Sequence, residues 1–190
     1  MKIKPTRKSG TVLVESGPAD DLLIERSEHF GAEEKTLFRL KQILVPIDFS
    51  TCSRKALQYA IPFARQFGAT LTLLNVVQSN YYPGGEFSGG YDFARVEKEL
   101  RESGERQLSR IVLEEVDELV PVKTVVRVGQ PVQEIVSAAR ELESDLILLS
   151  THGRTGLKHV FLGSVTENVV RHATCPVLVV REGEHDFVGN

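Results

Sequence analysis

The sequence predicts an α/β protein built on one doubly wound parallel sheet, and three observations support this. Short apolar runs alternate with longer amphipathic segments in the order β-α-β-α-β-α-β-α-β between residues 41 and 181. Strands that alternate with helices in this way pair in parallel through right-handed crossovers. Polar or glycine-bearing turns follow several of the apolar runs, which is where such sheets bind ligands.

The composition indicates a globular protein and disfavours nucleic-acid binding. Of 190 residues, 41% are hydrophobic and 26% are charged, and the net charge of −3 leaves no basic excess to hold a phosphate backbone. No apolar run approaches the length of a membrane span, and the basic N-terminus lacks the apolar segment of a secretory signal. The cysteines, Cys52 and Cys175, are far apart, as expected for reduced thiols in a cytoplasmic protein.

Residues 1–40 differ from the rest of the chain, and we assign them no chemistry. Basic residues come first, and mostly acidic ones follow between positions 15 and 34. Two apolar clusters, Val12–Val14 and Leu22–Ile24, flank a turn and predict either a hairpin or a partly disordered extension. We therefore divide the chain into an extension, 1–40, a domain, 41–182, and a tail, 183–190.

The first half of the domain contains two predicted strands and two predicted helices. The strands are Gln42–Ile47 and Thr70–Val77, and Ser50 or Ser53 caps a helix between them that ends at Gly68. Pro62 should bend or interrupt that helix. A loop rich in Tyr and Gly, 78–92, is followed by a long charged helix, Phe93–Leu119, of which Leu100–Gly104 is the weakest turn. The predicted inner face of the long helix consists of Leu100, Gln107, Leu108, Ile111 and Val112.

The second half supplies three more strands. They are Val122–Val128, Leu146–Leu149 and Val177–Val180. A helix, Val132–Glu143, follows the first of them and buries Ile135, Val136 and Ala139. The last helix begins at Ser164, and Glu167 three residues later predicts a capping box with that serine.

The segment between the fourth strand and the last helix suits an anion. Ser150–Gly156 forms a polar loop with glycines, and Gly163-Ser164 opens the helix. The unpaired amides and the positive dipole end of a helix attract negative charge, and glycine lets the backbone approach a ligand closely. Asp48, Asn75–Val77 and Gly129 also lie at strand carboxyl ends, so the sequence predicts one shared cleft.

From about Lys41 to Arg181, the chain resembles the universal stress protein family. The family's nucleotide-binding signature, G-x2-G-x9-G-[S/T], aligns with Ser150-Thr151-His152-Gly153 and, nine residues later, Gly163-Ser164. Further matches are VPIDFS from Val45, LLNVV from Leu73, VGQPVQEIV from Val128 and CPVLVV from Cys175. The resemblance implies a five-stranded parallel sheet of order 3-2-1-4-5 with helices on both faces.

The resemblance also implies a nucleotide site, with ATP as the ligand and Mg as a candidate companion. Asp48 would face the ribose or adenine, and the backbone of Val76 would contact the adenine edge. Ser150 would lie near the ribose, with Gly153 and Arg154 near the phosphates. The full predicted set is Pro46, Asp48, Val76, Ser150, Gly153, Arg154, Gly163, Ser164, Val165 and Thr166. No metal ligands and no catalytic residues are predicted.

Several of these residues also have a purely structural interpretation. Asp48 could cap the following helix, and Val76 could simply end a core strand. Ser150 stands where the signature has its first glycine. If that position needed positive φ, serine would cost about 1–2 kcal/mol. If it needs only a small side chain near the ribose or phosphate, serine fits and can donate a hydrogen bond.

The sequence therefore leaves three functional hypotheses. The first is an ATP-binding stress protein with at most slow hydrolysis, because the chain has neither a Walker-type lysine nor an evident water-orienting base. The second is an interaction module of the same fold that binds no nucleotide. The third, an adenylyl-transferring or pyrophosphatase-like enzyme, lacks the motifs that α-phosphate chemistry requires. The resemblance implies a homodimer formed through the edge strand 177–180.

Overall fold

The computed structural model describes residues 39–78, 93–151 and 163–181, together with the backbone of two short strands near the N-terminus. The chain forms two compact units, Met1–Phe38 and Arg39–Asn190. In the first unit, strand β1 (Lys2–Pro5) pairs antiparallel with strand β2 (Val12–Glu15). The apolar cluster Leu22–Ile24 and the loop 79–92 lie outside the described residues.

The second unit is built on a five-stranded sheet in which every strand is parallel to its neighbours. Its strands are β3 (Gln42–Pro46), β4 (Thr70–Val77), β5 (Val122–Val128), β6 (Leu146–Ser150) and β7 (Val177–Val180). They lie in the order β5-β4-β3-β6-β7. Numbered within the domain, this is 3-2-1-4-5, so the predicted fold class and strand order are confirmed.

Four described helices cover both faces of this sheet. They are α1 (Thr51–Phe67), α2 (Phe93–Glu115), α3 (Pro131–Glu141) and α4 (Ser164–His172). Side chains alternate along each strand, so Ile43 and Val45 pack with α1 and α2 while Leu44 packs with α3 and α4. Burial of both faces explains why the central strands are almost wholly apolar in sequence.

Helix α1 has the predicted boundaries and the predicted cap. Ser50 is the N-cap, and its side-chain oxygen accepts a hydrogen bond from the amide of Ser53 at 3.2 Å. Gly68 ends the helix with φ of +66°, a conformation that favours glycine. The helix continues through Pro62, so the predicted interruption does not occur.

Helix α2 ends earlier than the sequence predicts, at Glu115 rather than at Leu119. The cause is local, because the Asp117 carboxylate accepts the amide of Leu119 at 2.9 Å and starts a turn. The prediction that Leu100 and Gln107 lie on the inner face of this helix is wrong. Leu100 is 47% exposed, and Gln107 is exposed as well. Helix α3 is also shorter than predicted, ending at Glu141 rather than at Glu143.

Gly104 lets α2 lie close against the sheet. A Cβ atom at this position would come within 2.9 Å of the Asn75 Oδ1 atom and within 3.4 Å of the Val126 methyl groups. Asn75 cannot easily yield, since it is only 7% exposed and its Nδ2 donates to the Ile47 carbonyl at 2.8 Å. The predicted weak turn of the helix is therefore a point of close packing.

None of the helices in the described part of the chain is both long enough and apolar enough to span a membrane.

We expect Gly104→Ala to destabilise the domain, although alanine favours helix more than glycine does. Overpacking costs about 1–3 kcal/mol and the gain in helix propensity is about 1 kcal/mol, so the net loss should be about 1 kcal/mol. Urea unfolding measures it, with Glu105→Ala at the exposed neighbouring position as the control, expected to change stability by less than about 0.5 kcal/mol. A Gly104→Ala variant more stable than wild type would contradict the close packing.

Candidate functional site

The carboxyl ends of β3, β4 and β6 meet at one cavity of about 690 Å³. Its described lining includes eight of the residues predicted from the sequence: Pro46, Asp48, Val76, Ser150, Gly163, Ser164, Val165 and Thr166. The other two predicted residues, Gly153 and Arg154, lie outside the described part of the chain. The fold thus brings together segments that are more than 100 residues apart in sequence.

The segment after β3 is held in an unusual turn. The Asp48 Oδ1 atom accepts hydrogen bonds from the Ser50 amide at 3.0 Å and from the Ser50 hydroxyl at 2.6 Å. Phe49 between them has φ of +67°, a left-handed conformation that costs energy for a residue with a side chain. Asp48 is therefore not the N-cap of α1. It is the residue that orients Ser50, which is the N-cap.

Asn75 fixes this turn from the neighbouring strand. It lies near the end of β4, and its Nδ2 atom donates to the carbonyl of Ile47, the residue before Asp48. The amide of Ile47 in turn donates to the Leu74 carbonyl at 2.8 Å. Two contacts between adjacent strands therefore fix the backbone that leads into Asp48, and Ser50 then orients the carboxylate.

Ser150 ends β6 in an ordinary strand conformation. It is 8% exposed and is not among the residues with positive φ, so the substitution of serine for the signature's first glycine introduces no left-handed strain here. Its carbonyl accepts the Thr166 hydroxyl at 2.8 Å. Since that hydroxyl proton is directed to the backbone, Thr166 presents its amide rather than its hydroxyl proton to a ligand.

Helix α4 begins differently from the prediction. Gly163 is the N-cap, and no side chain caps the helix, so the predicted capping box between Ser164 and Glu167 is wrong. The Glu167 carboxylate instead accepts hydrogen bonds from Arg171 Nη2 at 2.9 Å and Nε at 3.2 Å. Among the described residues, the amides of Ser164, Val165 and Thr166 have no acceptor, as expected for a first helical turn.

These amides give the cavity its electrostatic character. Of the described lining residues, only Asp48 has an ionisable side chain. Within the described lining, an anion is therefore attracted by the positive end of the α4 dipole and by the unpaired N–H groups of its first turn. The arrangement can bind negatively charged oxygen atoms at one side and hydroxyl donors, such as those of a ribose, at the Asp48 side.

The sequence prediction missed several lining residues. They are Phe49, Leu100, Ser103, Gly104 and Gln107. Asn75, which the sequence places at the predicted cleft, does line the cavity. The α2 residues carried no signal in the sequence, since only tertiary packing brings that helix to the strand ends. Within residues 39–78, 93–151 and 163–181, no group of three or more His, Cys, Asp or Glu side chains is placed to hold a metal ion.

We expect a matched pair of serine substitutions to separate the two helix starts. Ser50→Ala removes a side-chain cap and should lower the free energy of unfolding by about 1 kcal/mol. Ser164→Ala removes no cap and should change it by less than about 0.5 kcal/mol. Urea unfolding of both variants checks this. If Ser164→Ala lowered the free energy of unfolding as much as Ser50→Ala does, Ser164 would cap α4 and the capping-box prediction would be correct.

Comparison with known proteins identifies relatives of the second unit. The family model described as the universal stress protein family matches residues 39–181. Universal stress protein MJ0531 of Methanocaldococcus jannaschii is 34% identical over 142 residues, which cover 75% of this chain and 82% of that protein.

Solved structures show the same fold. The structure of MJ0577, also from Methanocaldococcus jannaschii, has a TM-score of 0.68 at 32% identity and covers 77% of this chain and 99% of its own. A protein from Arabidopsis thaliana, solved with AMP bound, shares the fold at 21% identity, with a TM-score of 0.53 and coverage of 75% of this chain and 92% of its own. By its family match and its sequence identity to these relatives, the chain belongs to the universal stress protein family.

Proposed function

We propose that this protein binds ATP at the carboxyl ends of β3, β4 and β6 and serves in a stress response. The observation that carries the proposal is the convergence on one cavity of three unpaired helix amides, an oriented carboxylate and a strand end. The phosphates would lie at the start of α4, and the adenosine would lie toward Asp48 and Val76. Gly153 and Arg154, which the resemblance implies near the phosphates, stay part of this proposal.

The cavity supports binding more than hydrolysis. Its sole ionisable described lining residue, Asp48, would face the adenosine rather than the phosphates at the start of α4, so it is poorly placed to take a proton from an attacking water. The chain also has no Walker-type lysine to neutralise charge in a phosphoryl-transfer transition state, so Arg154 is the cation that the resemblance implies near the phosphates. Any hydrolysis would therefore be slow, and Mg would be held mainly by the nucleotide's own phosphates.

We expect Ser164→Pro to weaken ATP binding while leaving the fold intact. Proline suits the first helical position, and Gly163 before it already has the extended conformation, φ −65° and ψ 150°, that proline requires of its predecessor. The variant loses one amide directed at a phosphate, a charge-assisted hydrogen bond worth about 1.5–3 kcal/mol, so the dissociation constant should rise about tenfold or more. Isothermal titration with ATP, with and without magnesium, measures this.

Ser164→Ala is the control for that experiment, since it keeps the amide and removes only the hydroxyl. Its dissociation constant for ATP should stay within about threefold of wild type. If wild type gives no heat with ATP at concentrations in the tens of micromolar, the proposal fails and the alternative of an interaction module without nucleotide takes its place.

A homodimer through β7 is the second part of the proposal. This strand lies at the edge of the sheet, and Val177, Leu178 and Val179 are only partly buried in the single chain. An exposed apolar edge strand favours pairing with another chain, and a two-fold arrangement closes the contact on itself. Pairing between two copies of β7 would cover the apolar atoms that a lone domain leaves exposed.

We expect wild type to sediment as a dimer and Val179→Lys to sediment as a monomer at micromolar concentration. A lysine on an edge strand opposes strand pairing. Thr124→Lys places the same side chain on β5, the opposite edge of the sheet, and should stay dimeric. Analytical ultracentrifugation distinguishes a mass of 21.1 kDa from twice that value, and a monomeric wild type would contradict this part of the proposal.

A cytoplasmic location completes the proposal. Cys52 is buried and Cys175 is partly buried, and neither forms a disulfide. Burial, helped by the nearby Asp145 carboxylate, raises the pKa of the Cys175 thiol, so this cysteine stays protonated and unreactive near neutral pH. Reduced, unreactive cysteines are typical of proteins in a reducing compartment.

A further inference from the structure

A second concavity, which we call the α3–α4 groove, adjoins the proposed ATP site. It has a volume of about 880 Å³ and lies between the two helices that cover the same face of the sheet. Among the described residues, four line both the groove and the ATP site: Gln78, Pro131, Ser164 and Val165. The groove therefore opens where the proposal places the phosphates, at the first turn of α4.

The lining of the groove combines apolar and carboxamide side chains. Val132, Val136 and Val165 are partly buried along it. Gln130, Gln133 and Asn168 present amide groups beside them. Among the described residues, the side chains of Gln130 and Gln133 have no hydrogen-bond partner, and Asn168 uses only its Nδ2 atom, which donates to the Ser164 carbonyl at 2.8 Å. Such a lining matches a ligand that has both methyl groups and amides.

The same lining disfavours two other extensions of a nucleotide. A longer phosphate chain needs several cations, but the described lining has one permanent cation, Arg140, at the end away from the ATP site. A second nucleoside would favour aromatic side chains on which to stack, and apart from His172 the described lining has none. Neutral hydrogen-bonding groups between valines remain as the main feature of the groove.

We propose that the α3–α4 groove holds the pantetheine arm of a coenzyme A-type ligand whose ADP portion occupies the proposed ATP site. The arm leaves the diphosphate, which would lie on the amides of Ser164 and Val165, the two residues of α4 that line both cavities. Its geminal methyl groups suit the valines, and its amides suit Gln130, Gln133 and Asn168. The inference rests on the proposed function for the ADP portion.

The groove takes most of this occupant along its length. From Ser164 to His172, α4 rises about 12 Å, which is shorter than an extended pantetheine chain, so the thiol end would extend past His172. At the ribose end, the negative charge of the Asp48 carboxylate would repel the additional 3′-phosphate of coenzyme A. The structure therefore favours dephospho-coenzyme A over coenzyme A itself.

Isothermal titration with ADP, dephospho-coenzyme A and coenzyme A tests the inference. Since hydrogen bonds and apolar contacts of the arm add to those of ADP, dephospho-coenzyme A should bind wild type about tenfold or more tightly than ADP does. Coenzyme A that binds as tightly as its dephospho form would also support the groove and would show that the ribose end accepts the phosphate.

Two groove variants and one control make the assignment specific. Gln133→Ala removes a carboxamide and Val136→Lys obstructs the groove, and neither residue lines the ATP site. In each, the advantage of dephospho-coenzyme A over ADP should fall to about threefold or less, with the affinity for ADP unchanged. Gln66→Ala, an exposed glutamine on α1 that lines neither cavity, should keep the full advantage.

The outcomes separate the two proposals. If ADP and ATP bind but dephospho-coenzyme A binds no more tightly than ADP, the groove assignment is overturned and the proposed function stands. If dephospho-coenzyme A keeps its advantage in both groove variants, the arm lies elsewhere and the assignment is overturned as well. If neither ADP, ATP nor dephospho-coenzyme A binds, both proposals fail.

Discussion

The candidate site depends on the hydrogen bonds that join the end of β6 to the start of α4. The Gly163 amide donates to the Thr151 carbonyl at 2.8 Å, and the Thr166 hydroxyl donates to the Ser150 carbonyl at the same distance. These bonds hold the first turn of the helix against the strand, whatever path the intervening loop takes. Without them, the amides at the start of the helix would have no fixed position relative to Asp48.

The opposite side of the site is stabilised in a different way. Phe49 adopts a left-handed conformation that has an energetic cost, and the surrounding contacts must offset it. They come from Ser50, which caps α1 and donates to Asp48, and from Asn75, which holds the preceding carbonyl. Strain of this kind is common at ligand sites, and this turn lies in the lining of the cavity.

Much of the fold could be predicted because its signals are local. Apolar runs bounded by glycine and proline define the five strands, and the alternation with helices indicates parallel pairing. The errors occur where competing local interactions are close in energy. Ser164 has the sequence of a capping box, but its partner Glu167 pairs with Arg171 one turn later. Asp117 likewise ends α2 with a side-chain bond to the Leu119 amide that periodicity does not reveal.

By itself, the sequence determined the sheet, its order through the family resemblance, and the strand ends at which the site lies, because residue spacing and apolar pattern encode them. Only the tertiary structure decided that α2 also reaches the cavity and that Gly104 must be small. It also decided that Ser150 needs no left-handed backbone and that the cavity continues into a groove between α3 and α4. The reason is physical: these features arise from contacts between segments distant in sequence, whose distances no local pattern specifies.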